Sequence, residues 1–180
     1  MTIILEGPDG AGKTTLLSEL HGHFPEMEQH PRFCTSKGGP VDNLAELVFK
    51  DATPRGGTHF LYDRHPCISE YIYRTAIPTM AIRPAFLGDA MGRVRNRVAR
   101  NSLVIWCLPP LSQVKVNLDP EYEMPGVVEN IERIYEQYQM HRLMWPGRAV
   151  TYDYTQSAAS WEGLRYALSD SRNKLWKEHP

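Results

Sequence analysis

Short apolar runs alternate along the chain with longer stretches in which apolar residues recur at helical spacing. Each short run is rich in β-branched or aromatic side chains, a composition typical of buried strands. Five strands are predicted, at Thr2–Glu6, Phe33–Ser36, His59–Asp63, Leu103–Leu108 and Val150–Tyr154. Helices are predicted at Lys13–Phe24, Val41–Lys50, Pro84–Arg100, Val127–Met144 and Trp161–Trp176.

This alternation predicts the fold class. Strands that alternate with helices lie parallel in one sheet, which the helices cover on both faces. We therefore expect a three-layer α/β fold with a central parallel sheet of about five strands. The 180 residues contain no repeat or low-complexity tract, so a single domain over residues 1–180 is expected. Ligands of such sheets bind at the carboxyl ends of the strands, where Glu6, Asp63 and Leu108 fall.

Composition narrows the class of protein. With 42% apolar residues, 23% charged residues and a net charge of -1, the chain is typical of a soluble globular protein without a global positive field. Three widely spaced cysteines, Cys34, Cys67 and Cys107, indicate neither a disulfide framework nor a zinc site. The first strand follows Met1 directly, and no apolar run approaches the roughly 18 residues of a membrane span. We expect a cytoplasmic protein that does not bind membranes.

A glycine-rich loop separates the first strand from the first helix. Its sequence, GPDGAGKT, fits the phosphate-binding pattern G-x-x-x-x-G-K-[ST] at every position. In such a loop backbone N–H groups hold phosphate oxygens, Lys13 reaches the β and γ phosphates, and the Thr14 hydroxyl holds Mg²⁺. ATP and Mg²⁺ are thus the expected cofactors. The predicted nucleotide-binding residues are Gly7, Pro8, Asp9, Gly10, Ala11, Gly12, Lys13, Thr14 and Thr15.

The loop alone leaves the reaction open, since switches, motors and kinases all use it. The guanine-reading motif Asn-Lys-x-Asp of switch GTPases is absent from the sequence. Motor ATPases are usually larger. A kinase is therefore the main prediction, with a regulatory protein that binds ATP without catalysis as an alternative.

Two segments together resemble the thymidylate kinase family of P-loop kinases. EGPDGAGKTT is similar to that family's EGxDGAGKST loop, and YDRHPCISEYIY is similar to its D-R-Y/H segment. The resemblance implies the P-loop kinase fold, with Asp9 near the sugar of the acceptor and Arg64 on the transferring phosphate. It also implies that the helix after Asp63-Arg64 lines the acceptor pocket, which makes Ser69, Tyr71 and Tyr73 candidates. Core packing is the alternative for both tyrosines.

The chain departs from this family on the acceptor side. Lys37 stands where the family has an arginine-bearing R-E-P-G-G segment, Arg93 lies where it has an A-D-R-x-x-H helix, and the predicted lid near 109–126 is short and acidic.

Asp63 is predicted either as the base or, with Thr14, as a metal ligand. The predicted catalytic residues are Asp9, Lys13, Asp63 and Arg64. The predicted acceptor-binding residues are Glu6, Lys37, Ser69, Tyr71, Tyr73 and Arg93.

These departures direct the choice of acceptor. A free monophosphate needs several arginines, whereas a hydroxyl needs a carboxylate base. The sequence therefore slightly favours the 5-hydroxymethyl group of 5-hydroxymethyl-deoxyuridine within DNA, the substrate of a bacteriophage branch of thymidylate-kinase-like proteins, with free dTMP as the alternative. If DNA is the acceptor, a run of arginines would contact the phosphates of the DNA strand; the alternative is a solvated helix face. These arginines are Arg93, Arg95, Arg97 and Arg100. The expected partners are ATP and a thymidine-type nucleotide, free or within DNA, with a homodimer left open.

Overall fold

Five parallel strands form a single sheet in the order β2-β3-β1-β4-β5. The structure, a computed structural model, describes residues 2–34, 41–51, 59–80 and 83–177, with the side chains of 170–177 excepted. The strands are β1 (Thr2–Glu6), β2 (Glu28–Gln29), β3 (Phe60–Asp63), β4 (Ser102–Cys107) and β5 (Arg148–Tyr152). The helices are α1 (Lys13–His23), α2 (Leu44–Asp51), α3 (Pro66–Ala76), α4 (Pro84–Leu87), α5 (Asp89–Asn101), α6 (Leu111–Val116), α7 (Ile131–Leu143) and α8 (Ser157–Lys177).

Helices cover both faces of this sheet, as predicted. Alternate residues of β1 point to opposite faces because successive side chains of a strand alternate. Ile4 packs with residues of α3, α5 and α7 in one core, whereas Ile3 and Leu5 pack with residues of α1 and α8 in the other. β4 is buried at every position, as expected of an inner strand covered by helices on both sides.

The pairing of β1 with its two neighbours brings the predicted site residues to one edge. Leu5 pairs with Asp63 of β3, and Glu6 pairs with Trp106 of β4. The carboxyl ends of the three strands therefore meet where the glycine loop begins. In the part of the chain that the structure describes, none of the helices combines the length and the apolar character needed to cross a membrane.

Two sequence predictions of secondary structure need correction. The second strand in the described residues lies at Glu28–Gln29, ahead of the predicted Phe33–Ser36; the prediction missed it because it is a short polar edge strand without an apolar signal. Of the predicted residues, Phe33 belongs to no strand, Cys34 is a single bridge residue, and Thr35 and Ser36 lie outside the described residues. The helix predicted at Pro84–Arg100 is interrupted at Gly88, which caps both α4 and α5.

Two helices were absent from the periodicity prediction. The thymidylate kinase resemblance implied α3, which begins at Pro66 with His65 as its N-cap. Proline is common in the first turn of a helix, where a missing N–H costs nothing. The short helix α6 lies within the predicted lid, at Leu111–Val116, and follows Pro109-Pro110.

Candidate active site

The glycine loop leads from β1 into α1 and leaves the N-terminus of that helix open. α1 begins at Lys13, and its N-cap Gly12 makes no side-chain capping bond. The first N–H groups of a helix attract anions, as does the positive end of its dipole. Gly7 is required by close contact, since a Cβ there would lie 2.3 Å from the backbone oxygen of Cys107. This geometry fits the cradle that a nucleotide phosphate needs.

Lys13 is buried beside the loop, and its Nζ donates to the backbone oxygen of Pro8 at 2.5 Å. Burial, together with the nearby Arg64, lowers the pKa of Lys13 to about 8. A phosphate in the loop would bring negative charge to this ammonium and stabilise its charged form. This placement is compatible with the predicted role of Lys13, which stays a prediction.

Asp9, Arg64 and Tyr73 form one hydrogen-bonded group beside the loop. Arg64 Nη2 donates to Asp9 Oδ1 at 2.6 Å and to the Tyr73 hydroxyl at 2.7 Å. The same hydroxyl donates to Asp9 Oδ2 at 2.6 Å. Burial would raise the pKa of Asp9, but the charges of Arg64 and Lys13 outweigh it and hold that pKa well below its usual range. Asp9 is therefore ionised at neutral pH, and its orientation is fixed.

The backbone of Arg64 turns sharply to place its guanidinium at the loop. Its φ of 66° lies in the left-handed region, which a residue with a Cβ adopts only when the surroundings hold it there. The N–H of Arg64 donates to the backbone oxygen of Leu5 at 2.9 Å, and its Nε and Nη2 lie 3.3 Å from the backbone oxygen of Gly7. The Arg64 guanidinium thus lies against the glycine loop, while its contact with the transferring phosphate stays a prediction.

Thr14 and Asp63, the predicted metal ligands, face the same side chain. Arg32 Nη2 forms an ion pair with Asp63 Oδ2 and lies 3.4 Å from Thr14 Oγ1. Within the described residues Asp63 Oδ1 is buried and accepts no hydrogen bond. An unsatisfied buried carboxylate oxygen beside a threonine hydroxyl suits Mg²⁺, which prefers oxygen ligands. The residues present therefore fit the expected metal.

A cavity of about 740 Å³ opens beside the loop, between α3, the segment after β2 and the predicted lid. Its volume is within the usual range for a small-molecule site. Among the described residues, its charged wall consists of Asp9, Arg32, Asp63, Arg64, Glu70, Arg74, Glu121 and Glu123. Its apolar wall includes Phe33, Leu44, Pro66, Met80, Met124 and Val127.

The cavity includes some of the predicted acceptor residues. Ser69 and Tyr73, both on α3, line it. Tyr71 does not, because it lies on another side of α3, where its ring packs edge-on against His141 at 5.7 Å between centroids. Lys37 lies outside the described residues.

Two further predicted acceptor residues, Arg93 and Glu6, do not line the cavity. Arg93 is exposed on α5, a helix described over its whole length that contributes no cavity residue. Glu6 is fully buried; its Oε1 accepts from the His65 N–H at 2.8 Å, and its Oε2 accepts from the Tyr138 hydroxyl at 3.3 Å. Burial raises the pKa of Glu6 to about 8, although the hydrogen bond from His65 and the positive charge of Arg64 act to lower it. Glu6 thus supports the Asp63-Arg64 turn from behind.

Several cavity residues carried no functional prediction. Arg32 and Phe33 come from the loop after β2, and Arg74 Nε donates to Glu70 Oε1 at 2.8 Å on α3. A glutamate four residues before an arginine is readable in the sequence as a helical ion pair. Arg32 has no such signal, because its proximity to Asp63 depends on the pairing of β2 with β3.

The acidic residues of the predicted lid face the cavity. Glu121, Tyr122 and Glu123 line it, together with Met124 and Pro125. Burial and the neighbouring Asp9 raise the pKa of Glu123. The predicted lid is thus close enough to the glycine loop for the charge of Asp9 to affect Glu123. Its movement as a lid stays a prediction.

The opposite side of the loop is held by Asn117 and Tyr154. Asn117 Nδ2 lies 2.8 Å from the backbone oxygen of Gly10 and 2.7 Å from the Tyr154 hydroxyl. The Tyr154 ring covers Gly12, where an added Cβ would lie 3.0 Å from it. These contacts connect α6 and the end of β5 to the glycine loop.

The sheet order, the position of the glycine loop and the helices on both faces define the P-loop kinase fold. The chain is similar to the solved structure of the YorR protein from Bacillus subtilis in complex with phosphorylated GDP, at 19% identity and a TM-score of 0.66. That match covers 100% of this chain and 99% of the other.

Two structures of deoxyadenosine kinase from M. mycoides are also similar to this chain. The structure with bound dATP is 12% identical, with a TM-score of 0.58 and coverage of 97% of this chain and 99% of the other. The structure with the products dCMP and a flexible dCDP is 14% identical, with a TM-score of 0.52 and coverage of 98% and 99%. At these identities the similarity establishes the fold. No protein-family model matches the chain, and no curated protein matches it in sequence.

Proposed function

We propose that the protein is a thymidylate-kinase-like phosphotransferase, which moves the γ-phosphate of ATP onto a free deoxynucleoside monophosphate of the thymidine type. The observation that carries the proposal is the presence of Arg32, Arg64 and Arg74 in one cavity beside the phosphate loop. The sequence favoured a hydroxyl acceptor because its motifs offered too few arginines. Arg32 and Arg74 add two guanidinium groups, each paired with a carboxylate in this structure, which can bind an acceptor with about two negative charges.

The described residues divide the chemistry between donor and acceptor. The glycine loop and Lys13 hold the donor phosphates, while Thr14 and Asp63 would hold Mg²⁺, which supplies charge neutralisation between phosphates. Arg64 reaches the space between loop and cavity. An oxygen of the acceptor monophosphate, already anionic, forms the new bond to the γ-phosphorus, and the bond from that phosphorus to ADP breaks. No proton must be removed, so Asp63 serves the metal rather than acting as a base.

The apolar wall provides a place for the base and sugar. Phe33, Leu44 and Met80 all line the cavity. Asp9, a residue of the loop itself, lines the same cavity with its carboxylate fixed by Tyr73 and Arg64, a placement that suits a hydrogen bond from a sugar hydroxyl. The similar structures agree with this class of ligand, since deoxyadenosine kinase is described with dATP and with dCMP and dCDP.

A second candidate acceptor is the 5-hydroxymethyl group of 5-hydroxymethyl-deoxyuridine within bacteriophage DNA. The charge pairing in the cavity favours it: Arg64 is paired with Asp9, and Arg74 with Glu70, while the lid adds Glu121 and Glu123. A neutral hydroxyl acceptor would leave these pairs intact and use a carboxylate as its base. The arginine run of α5 argues against it, since Arg95 stacks over Trp145 and no residue of that helix reaches the cavity.

Phosphate transfer from γ-labelled ATP in the presence of Mg²⁺ distinguishes these candidates. The acceptors are dTMP, dAMP, dGMP, dCMP, thymidine, deoxyadenosine, and an oligonucleotide containing 5-hydroxymethyl-deoxyuridine beside a matched thymidine oligonucleotide. Label on dTMP is the expected result. Label only in the 5-hydroxymethyl-deoxyuridine oligonucleotide overturns the monophosphate proposal in favour of the second candidate. Bound ATP without transfer to any acceptor indicates the non-catalytic binding protein.

A matched pair of variants locates the acceptor phosphate. Arg74→Gln removes a guanidinium from the cavity wall and should raise the KM for dTMP about tenfold. Arg93→Gln removes one from the exposed face of α5 and should leave that KM unchanged. The reverse ranking, with Arg93→Gln the more damaging, would count against a monophosphate in the cavity.

A further inference from the structure

The guanidinium of Arg32 lies where a cation is expected. One of its nitrogens, Nη2, contacts both predicted metal ligands, Asp63 Oδ2 through an ion pair and Thr14 Oγ1 at 3.4 Å. The Asp63 side chain is only 7% exposed, so its charge needs a partner whether or not a metal is bound. Arg32 supplies that partner in this structure.

The backbone around Arg32 is held more firmly than its side chain. The rings of His30 and Phe33, on either side of it in sequence, stack at 4.9 Å, and His30 stacks on Tyr62 of β3 at 4.5 Å. His30 Nε2 also lies 3.0 Å from Asp51 Oδ1. The Arg32 side chain, by contrast, is 52% exposed. A long side chain with this freedom can change its partner while the backbone stays in place.

We infer that Arg32 is an acceptor-binding residue that alternates between two partners. Without metal it neutralises Asp63; when a divalent cation is bound at Thr14 and Asp63, the guanidinium is repelled and turns to the phosphate of the acceptor. The cavity that Arg32 already lines, together with Arg64 and Arg74, is the space into which it can turn. The inference rests on the proposed function and adds to it an order of binding.

Binding of the metal and binding of the acceptor are then coupled through the Arg32 side chain. Arg32 competes with the cation for Asp63, which weakens metal binding, and it is released for the acceptor only when the cation is present. Coupling of this kind is reciprocal: the acceptor monophosphate must tighten metal binding by the same factor by which the metal tightens acceptor binding. The device favours loading of the donor nucleotide with its metal before the acceptor.

The first test measures metal affinity directly and needs no turnover. Mn²⁺, detected by its electron paramagnetic resonance signal, is titrated into the protein with ADP. Arg32→Gln should bind Mn²⁺ about tenfold more tightly than the wild type, because the competing charge is gone. The matched control is Arg74→Gln, which removes a guanidinium from the same cavity, and should keep wild-type affinity because the partner of Arg74 among the described contacts is Glu70.

The second test measures coupling. Calorimetry with dTMP should show binding to the wild type about tenfold tighter with Mn²⁺ and ADP than with ADP alone, and no such difference for Arg32→Gln. Arg32→Lys, which keeps a charge but loses the planar fork, should recover part of the coupling. Wild-type Mn²⁺ affinity together with undiminished coupling in Arg32→Gln overturns the inference. Failure of the proposed function looks different: the wild type then transfers no phosphate to dTMP, while the Mn²⁺ titrations still report on Arg32.

Discussion

The hydroxyl of Tyr73 donates to Asp9 Oδ2 across 2.6 Å, although the two residues lie 64 positions apart in the chain. The Tyr73 hydroxyl oxygen also accepts a hydrogen bond from Arg64 at 2.7 Å. Tyr73, on α3, therefore fixes both members of the Asp9–Arg64 ion pair beside the glycine loop. The guanidinium of Arg64 also lies over the Tyr73 ring, at 5.1 Å from its centroid. Ring and hydroxyl thus make separate contributions to the same arrangement.

Tyr73→Phe should keep the ring and lose the two hydrogen bonds. The ion pair between Asp9 and Arg64 then remains, but with one fewer constraint on each group, and kcat/KM for dTMP should fall about tenfold. Tyr71→Phe is the matched control, because Tyr71 lies on the same helix but outside the cavity. Steady-state kinetics of both variants check the prediction, and equal losses would contradict the separation of the two tyrosines.

Lys13→Ala should reduce phosphate transfer by about two to three orders of magnitude while nucleotide binding is largely retained. Lys13 is the buried ammonium of the glycine loop, and the backbone N–H groups of the loop still hold phosphate without it. Transfer is measured with labelled ATP, and binding by calorimetry with ADP. Near-normal transfer by the variant would remove Lys13 from the chemistry.

Glu6 should make the stability of the protein fall with rising pH. Burial raises the pKa of Glu6 from 4.5 to about 8 in the folded state, so the folded protein binds one more proton than the unfolded chain between these values. The stabilisation is therefore complete below the unfolded pKa and is lost as pH rises through the folded pKa. His141 acts in the opposite sense at lower pH, because burial and Arg95 lower its pKa from 6.5 to about 4.

The variant Glu6→Gln isolates this effect. The comparison begins at pH 6.5, the usual pKa of histidine, and ends at pH 8. Over this range the wild type should lose about 2 kcal/mol of unfolding free energy relative to Glu6→Gln. Urea denaturation at several pH values measures the difference between the two proteins, in which the other titrating groups cancel. A constant difference across this range would show that Glu6 is already ionised in the folded protein.

Substitution by alanine should have opposite effects on stability at Gly7, in the glycine loop, and at Gly22, in helix α1. Gly7→Ala places a methyl group 2.3 Å from the Cys107 backbone oxygen, and should destabilise the protein by several kcal/mol, about 3 or more. Gly22→Ala lies in α1, where an added Cβ meets nothing within 4 Å, and should stabilise by about 0.5–1 kcal/mol. Thermal denaturation of both variants checks the signs; a tolerated Gly7→Ala would mean that β1 and β4 can separate at this point.

The sequence predicts the parts of the fold that have local causes. β1, the glycine loop and α1 follow one another with strong apolar and glycine signals, and all three are found where expected. β2 has only Glu28 and Gln29, both exposed, and is defined by pairing with β3, which no local pattern reveals. The position of Arg32 depends on that pairing, so the missing arginine of the acceptor side could not be found from the sequence.

The site residues divide in the same way. Asp9, Lys13 and Arg64 belong to motifs whose geometry is local to the ends of β1 and β3, and the structure brings them together. Tyr71 and Tyr73 are indistinguishable by composition, and only the rotation of α3 separates the cavity residue from the residue beside His141. Glu6 at a strand end resembles an active-site acid until its burial under Tyr138 is known.

The central place of β1 also has a consequence for synthesis on the ribosome. Its partner β4 follows about a hundred residues later in the chain, and at roughly 5–20 residues per second β1 waits several seconds for that strand. During this time Ile3, Ile4 and Leu5 have one unpaired edge and no complete core, which is the condition under which nascent strands aggregate. The strand that carries the phosphate loop is therefore a segment that chaperone binding would protect while the chain is being made.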